Sequence, residues 1–258
     1  MPSDPIFHFL VVFVAGCLAG GVNSVAGGGT LLAFPTLIWL GLPSVAANMT
    51  STVALWPGSL GGAWGFRREL ATVDRRLYAL AVPSVAGGIL GAVLLRITPT
   101  DVFDWILPFL ILFATCLLMA QDVLQRRFNL TALHHARSHW LSWTMLFQFA
   151  VAVYGGYFGA GIGILMLAAL SLMGHTDIHQ MNGVKNLFAV CINGVAAIYF
   201  AVTGDVHWGD VAVMAAGSVA GGVGAAGLFR RLGRQMVRRV VIAVGFLMTL
   251  STLWRQWN

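Results

Sequence analysis

The chain has 258 residues, of which 58% are hydrophobic and only 9% are charged. Because soluble domains usually carry about 25% charged residues, this composition excludes an ordinary soluble protein and indicates an integral membrane protein. The net charge of +6 comes from arginines that lie between apolar runs, so we interpret it as a topology signal and expect no nucleic acid partner.

Ten apolar segments follow one another along the chain. They are predicted at 6–26, 30–42, 44–66, 77–96, 102–121, 140–160, 162–174, 178–202, 208–229 and 238–254. Eight are long enough to span a hydrocarbon core of about 30 Å, which takes about 20 helical residues. The second and seventh are shorter, and each directly follows a glycine cluster. We predict broken helices there, because open backbone inside a membrane needs protein or a water-filled cavity to satisfy it.

The second half of the chain repeats the first at a constant offset. Residues 84–88 and 218–222 share the sequence Ser-Val-Ala-Gly-Gly, an offset of 134 residues (218 minus 84). At the same offset Asn48 falls on Asn182 and Arg96 on Arg230. A five-residue identity in register with isolated matches indicates an internal repeat. We predict a first repeat at 1–121, a basic linker at 122–139 and a second repeat at 140–258.

Arginine placement predicts opposite orientations for the two repeats. The linker after the third segment holds Arg67, Arg68, Arg75 and Arg76, whereas its counterpart at 203–208 holds neither arginine nor lysine. The basic loops alternate between the halves, so the positive-inside rule predicts an inverted repeat, a common architecture of transporters. The fold class is therefore all-α and polytopic. We predict the linker in the cytoplasm and both termini in the periplasm.

Lys185 is the strongest candidate for a substrate-binding group. It is the single lysine of the chain, lies near the start of the eighth segment and stands between Asn182 and Asn186. An ionisable group within a membrane segment is costly and by default indicates function. Its ammonium, the two amides and the N–H groups of a helix start would together suit a small oxyanion. Alternatively, Lys185 snorkels to the membrane surface or pairs with Asp177.

The matching stretch of the first half is polar but uncharged. Asn48, Ser51 and Thr52 are predicted to line the same site, although the two hydroxyls are also suited to bonding with their own helix backbone. Asn23 is predicted either to cap the second segment or to touch the substrate. Two sets of glycines are predicted to break the helices: Gly27, Gly28 and Gly29 in the first half, and Gly159, Gly161 and Gly163 in the second. Of these, Gly28, Gly29, Gly161 and Gly163 are predicted to bring backbone close to the solute.

Other site chemistries have weaker support. His175, Asp177 and His179 resemble a divalent-metal trio, but a turn with a capping aspartate explains them better. His135 and His139 are four residues apart without a third ligand. No catalytic triad or phosphate loop is found, so we predict no enzyme activity, no metal and no cofactor. A membrane enzyme or assembly factor would need an acid–base pair or a nucleophile at depth.

These motifs resemble the TauE/SafE family of sulfite and organosulfonate exporters. The resemblance rests on residues 20–30 followed by Pro35, on 48–52, on 154–163 and on 182–186. It implies export of a small sulfur oxyanion across the bacterial inner membrane, with the bilayer and that anion as partners and a homo-oligomer left open. Import of thiosulfate or sulfate by the same fold, and a metal-cation permease, are the alternatives. Ala169 stands where the second half would match Pro35, which departs from strict symmetry.

Overall fold

The computed structural model describes residues 4–25, 28–65, 67–71, 75–131, 140–172, 178–223 and 234–257. Over these ranges the chain forms helices and no strands. The helices are α1 Pro5–Val25, α2 Thr30–Trp39, α3 Ser44–Gly65, α4 Arg67–Leu70, α5 Arg75–Tyr78, α6 Ala81–Ile97, α7 Thr100–Thr131, α8 Trp140–Tyr157, α9 Ile162–Leu172, α10 Ile178–Thr203, α11 Trp208–Val223 and α12 Arg234–Trp257.

The helix order follows the predicted apolar segments closely, with one clear extension. α7 continues to Thr131, so residues 122–131 of the predicted linker are helical. The rest of that linker, at 132–139, lies outside the described residues. Two short helices, α4 and α5, occupy the arginine-rich connection between α3 and α6.

Within the described residues, four helices combine the length and the hydropathy of a full span: 5–23, 100–121, 180–203 and 235–254. α6 has 17 residues, which at 1.5 Å per residue is about 26 Å. α3 has 22 residues, but a run of polar side chains around Asn48 and Ser51 lowers its hydropathy.

Short helices follow both glycine clusters, as the sequence predicts. α2 has 10 residues and α9 has 11, so each is about 15–17 Å long and covers about half of a membrane core. The backbone before α2 turns at Gly28 with φ +91°, and the backbone before α9 turns at Gly159 with φ +80° and Gly161 with φ +79°. Only glycine adopts these angles without strain, so its placement determines where the helices break.

Glycines also bring neighbouring helices into backbone contact. α1 packs against α11, and α6 packs against α8. A Cβ added at Gly221 would overlap the carbonyl of Cys17, and one added at Gly91 would overlap the carbonyl of Val153. Small residues at these positions therefore allow the backbones of neighbouring membrane helices to approach closely. α3 packs against α10 and α2, and α7 packs against α12 and α9.

Candidate substrate site at two helix breaks

Both breaks lie against the same part of α7. A Cβ built on Gly28 would lie 3.1 Å from Cδ1 of Leu118, and one built on Gly161 would lie 3.6 Å from Cα of Ala114. Ala114 and Leu118 are four residues apart, which is about 6 Å along a helix. The two breaks are therefore at nearly the same depth, about one helical turn apart.

First-half helices reach directly into the second break. The ring of Phe34 in α2 packs edge-on against Phe158, which follows α8, with ring centroids 5.6 Å apart. Asn48 in α3 donates through Nδ2 to the carbonyl oxygen of Tyr157 at 2.9 Å. Phe34, Asn48 and Phe158 are all buried. The structure thus brings the two halves together at the end of α8.

Lys185 lies beside the start of α9. Its Cδ is 3.2 Å from the Cβ position of Gly163, the second residue of that helix. Its ammonium donates to Oδ1 of Asn182 at 3.2 Å, and both side chains are half-buried, as is Asn186. The start of a helix carries a partial positive charge, so a cation next to it is unfavourable by itself. Two positive groups on one side of a break favour an anion between them.

Asn23 has the capping role rather than an evident substrate contact. Its Oδ1 accepts a hydrogen bond from the backbone N–H of Gly29 at 2.7 Å, immediately before α2. Gly29 itself packs so closely on α1 that a Cβ would overlap the carbonyl of Ala19. Asn23 and Gly29 therefore stabilise the geometry of the first break, and the substrate contacts proposed for them at the sequence level stay predictions.

Removing the cap at Asn23 is expected to destabilise the protein without removing charge from the site. Asn23→Ala loses the acceptor for Gly29 N–H, which typically costs about 1 kcal/mol. For a chain of this size we expect the melting temperature in detergent to fall by about 2–4 °C. Asn23→Asp keeps an acceptor and is the matched control. Equal melting temperatures for Asn23→Ala and the wild type would contradict the capping role.

The hydroxyls of the first half bond to their own helix. Ser51 Oγ donates to the carbonyl of Asn48 at 3.0 Å, and Thr52 Oγ1 donates to the same carbonyl at 2.9 Å. In this arrangement their hydrogens are not available to an anion, and each offers lone pairs instead. Their role in binding stays a prediction that requires the hydroxyls to rotate.

The two breaks differ in how the following helix is capped. The counterpart of Asn23 in the second half is Tyr157 (23 plus 134). Its hydroxyl is directed to Thr98, with Oη and Oγ1 3.4 Å apart. α9 therefore lacks the amide that caps α2, and a lysine lies beside its start. The second break is the more suitable of the two for an anion.

Two features of the structure were missed from the sequence. Asn193 in α10 is half-buried, with Oδ1 3.7 Å from the Cβ position of Gly159. Asn193 is seven residues from Asn186, so both lie on one face of α10, and this spacing would have identified it.

The second feature is a His–Asp contact between distant helices. His8 Nε2 and Asp210 Oδ1 are 2.7 Å apart, joining α1 to the first turn of α11 across 202 residues. No sequence pattern indicated that pair.

Several residues named in the sequence predictions lie outside the described residues. Those are Gly27, His135, His139, His175 and Asp177, and the side chain of His179 is likewise not described. Over the described ranges, no group of three or more His, Cys, Asp or Glu residues is arranged to hold a metal ion. The hypothesis of a divalent-metal site therefore gains no support from this part of the chain.

Comparison with known proteins places the chain among membrane transporters. The family model described as sulfite exporter TauE/SafE matches residues 12–252. A probable membrane transporter protein of Haemophilus influenzae is 27% identical over 255 residues, covering 95% of this chain and 94% of that protein. The probable membrane transporter protein YfcA of Escherichia coli is 25% identical over 245 residues, covering 95% and 89% respectively. No solved structure matches the chain significantly.

Proposed function

The chain belongs to the sulfite exporter TauE/SafE family of membrane transporters, and we propose that it exports a small sulfur oxyanion, sulfite or an organosulfonate. The bacterial inner membrane is its proposed location. The observation that carries this proposal is the position of Lys185 against Gly163, beside the start of α9. An ammonium and a helix start that face one break form a site for a tetrahedral or pyramidal oxyanion. Relatives named as transporters also favour transport over catalysis.

The energetics of the membrane potential agree with export. Moving one negative charge outward across an inside-negative membrane is favourable by about 2.3 kcal/mol per 100 mV. A uniporter could therefore export a monovalent anion without a coupled ion. Uptake of thiosulfate or sulfate by the same site is the alternative, because the motif does not determine direction.

A flux assay in liposomes tests the substrate and the direction together. The purified full chain would be reconstituted, and sulfite, sulfoacetate, thiosulfate and sulfate would be compared under an imposed potential. We expect saturable flux of sulfite or sulfoacetate that increases when the potential drives anions out of the liposome. Flux of none of the four anions above that of empty liposomes would contradict the proposal. Preference for thiosulfate or sulfate would favour the alternative.

We further propose that the two repeats form an inverted pair around a two-fold pseudo-axis. The counterparts of α1, α3 and α6 in the second repeat are α8, α10 and α11. Exchanging the two repeats therefore converts the α1–α11 contact into the α8–α6 contact, and the α3–α11 contact into the α10–α6 contact. All four contacts are present, which supports the pseudo-axis. Trp56 Nε1 donates to the carbonyl of Val190 at 3.3 Å. Val190 is the counterpart of Trp56 (56 plus 134). A residue contacts its own counterpart only near an axis that relates the repeats.

Contacts between connecting segments support one common side for the two termini. Arg96 Nε donates to the carbonyl of Thr203 at 2.8 Å, which joins the end of α6 to the end of α10. Gln256 near the C-terminus donates to the carbonyl of Asp104 in α7 at 2.6 Å. His8 near the N-terminus pairs with Asp210. The arginine-rich connections are at the other ends of these helices, so we propose that both termini are periplasmic.

Cysteine labelling tests this topology. In a background without Cys17, Cys116 and Cys191, single cysteines would be placed at Arg75 and at Asp205. We expect a membrane-impermeant maleimide to label Asp205→Cys in intact cells and to label Arg75→Cys only after the membrane is opened. Labelling of both from one side would contradict the inverted arrangement.

A further inference from the structure

Asn48 presents a buried amide oxygen without a donor at the point where α8 ends. Asn48 is 1% exposed, and its Nδ2 donates to the carbonyl of Tyr157, the last residue of α8, at 2.9 Å. Because a carbonyl can only accept, the nitrogen must face it and the orientation of the amide is fixed. Oδ1 is buried and has no hydrogen-bond partner among the residues that the structure describes. Such an acceptor is rare in proteins and calls for an ordered water or an ion.

The end of α8, which the Asn48 side chain contacts, presents further acceptors. The last carbonyls of an α-helix have no partner within the helix, and that end carries a partial negative charge. The carbonyl oxygen of Gly155 is 3.1 Å from the Cβ position of Gly159, and Oδ1 of Asn193 is 3.7 Å from the same position. The end of α8 is therefore rich in oxygen atoms that accept, which favours a cation there rather than an anion.

The second repeat shows how the corresponding oxygen is satisfied. Asn182 is the counterpart of Asn48 (48 plus 134), and its Oδ1 accepts from the ammonium of Lys185 at 3.2 Å. The counterpart of Lys185 is Ser51, whose hydroxyl donates to the backbone carbonyl of Asn48. The same amide oxygen thus faces a positive group in one half and has no donor over the described ranges in the other.

We propose that a monovalent metal cation of the sodium class binds at Asn48 Oδ1 beside the end of α8. It would occupy the place that the ammonium of Lys185 takes in the second half, with carbonyls of the α8 end and Asn193 as further oxygen ligands. Carbonyls at helix ends coordinate sodium in membrane transporters of other folds. Divalent cations such as calcium and magnesium are usually bound through carboxylates, and the described residues place no acidic cluster here. The inference goes beyond the proposed transport and does not depend on which anion is carried.

A cation titration of the purified full chain tests the site without any transported anion. Thermal unfolding in detergent would be measured with sodium, potassium or lithium chloride against N-methyl-D-glucamine chloride at constant ionic strength. We expect sodium to raise the melting temperature of the wild type saturably, by about 3 °C or more. If none of the three metal cations raises it above the N-methyl-D-glucamine value, the proposal is wrong. Because no sulfur anion is present, this result is independent of the flux assay.

Matched variants locate the effect. Asn48→Ala should abolish the sodium-dependent rise, whereas Asn182→Ala, at the counterpart position, should retain it. A sodium response of Asn48→Ala equal to that of the wild type would overturn the assignment. Asn48→Ala also loses the bond to Tyr157, so Asn193→Ala serves as a second variant if the first does not fold. We expect its sodium midpoint to increase about tenfold, and an unchanged midpoint would equally contradict the site.

Discussion

Replacing Lys185 by methionine is expected to reduce anion affinity by about 10- to 150-fold. A hydrogen bond to a charged group is typically worth about 1.5–3 kcal/mol, and each 1.4 kcal/mol is about tenfold in affinity. Methionine keeps an apolar stem where Cδ of Lys185 packs beside Gly163, so the change removes charge more than volume. Flux at substrate concentrations below saturation should fall by a similar factor. Lys185→Arg, which keeps the charge with a different shape, should retain part of the affinity.

Ser51→Ala is the matched control for Lys185→Met. Ser51 occupies the counterpart position, but its hydroxyl already donates to the carbonyl of Asn48. We expect its affinity for the anion to stay within about fivefold of the wild type, because a single neutral hydrogen bond is worth about 1 kcal/mol or less here. Melting temperatures of both variants would establish that they fold. Wild-type affinity and flux in Lys185→Met would show that the ammonium does not hold the anion.

The cation inferred at Asn48 bears on the direction of transport. If a monovalent cation is carried together with a monovalent anion, the two transported ions have no net charge. The membrane potential then no longer drives export. An inward sodium gradient would then favour uptake. A cation that stays bound while the anion moves leaves export unaffected. Repeating the flux assay with a sodium gradient and no potential separates these two cases.

Local sequence features were sufficient to predict the helix order and the breaks. Apolar runs and glycine clusters act over a few residues, so α2, α9 and the turn at Gly161 could be read directly from the chain. Lys185 was grouped from the sequence with the N–H groups of a helix start, and its side chain lies beside Gly163, the second residue of α9. The polar run in α3 lowers the hydropathy of a helix that has 22 residues, so length and hydropathy give different information about this segment.

Contacts between distant helices could not be read from the sequence. The bond from Asn48 to Tyr157 joins residues 109 apart, and the pairing of His8 with Asp210 joins residues 202 apart. Their partners depend on how whole helices cross, which local patterns do not specify. For the same reason, capping and substrate contact at Asn23 could not be distinguished from local patterns. Capping became evident only when the N–H of Gly29 was found at its Oδ1.

Gly221→Ala is expected to destabilise the protein strongly, whereas Gly222→Ala next to it should be tolerated. A Cβ at 221 would overlap the backbone carbonyl of Cys17, which cannot rotate away, so α1 and α11 would have to separate. At 222 the nearest atom is the carbonyl oxygen of Gly20 at 3.8 Å, an ordinary contact distance. Overpacking typically costs about 1–3 kcal/mol. Alanine otherwise favours a helix by about 1 kcal/mol over glycine, which leaves Gly222→Ala neutral or slightly stabilised.

The difference between these two variants isolates the helix contact from helix propensity, because both changes add the same methyl group to neighbouring positions of α11. We expect the melting temperature of Gly221→Ala to lie about 2–12 °C below that of Gly222→Ala. Equal melting temperatures would mean that the α1–α11 contact is looser than the overlap at Cys17 implies. Separation of α1 from α11 would also displace Asn23, which lies near the end of α1 and caps α2. Gly221→Ala should therefore lose transport even in the fraction that remains folded, although position 221 touches neither break.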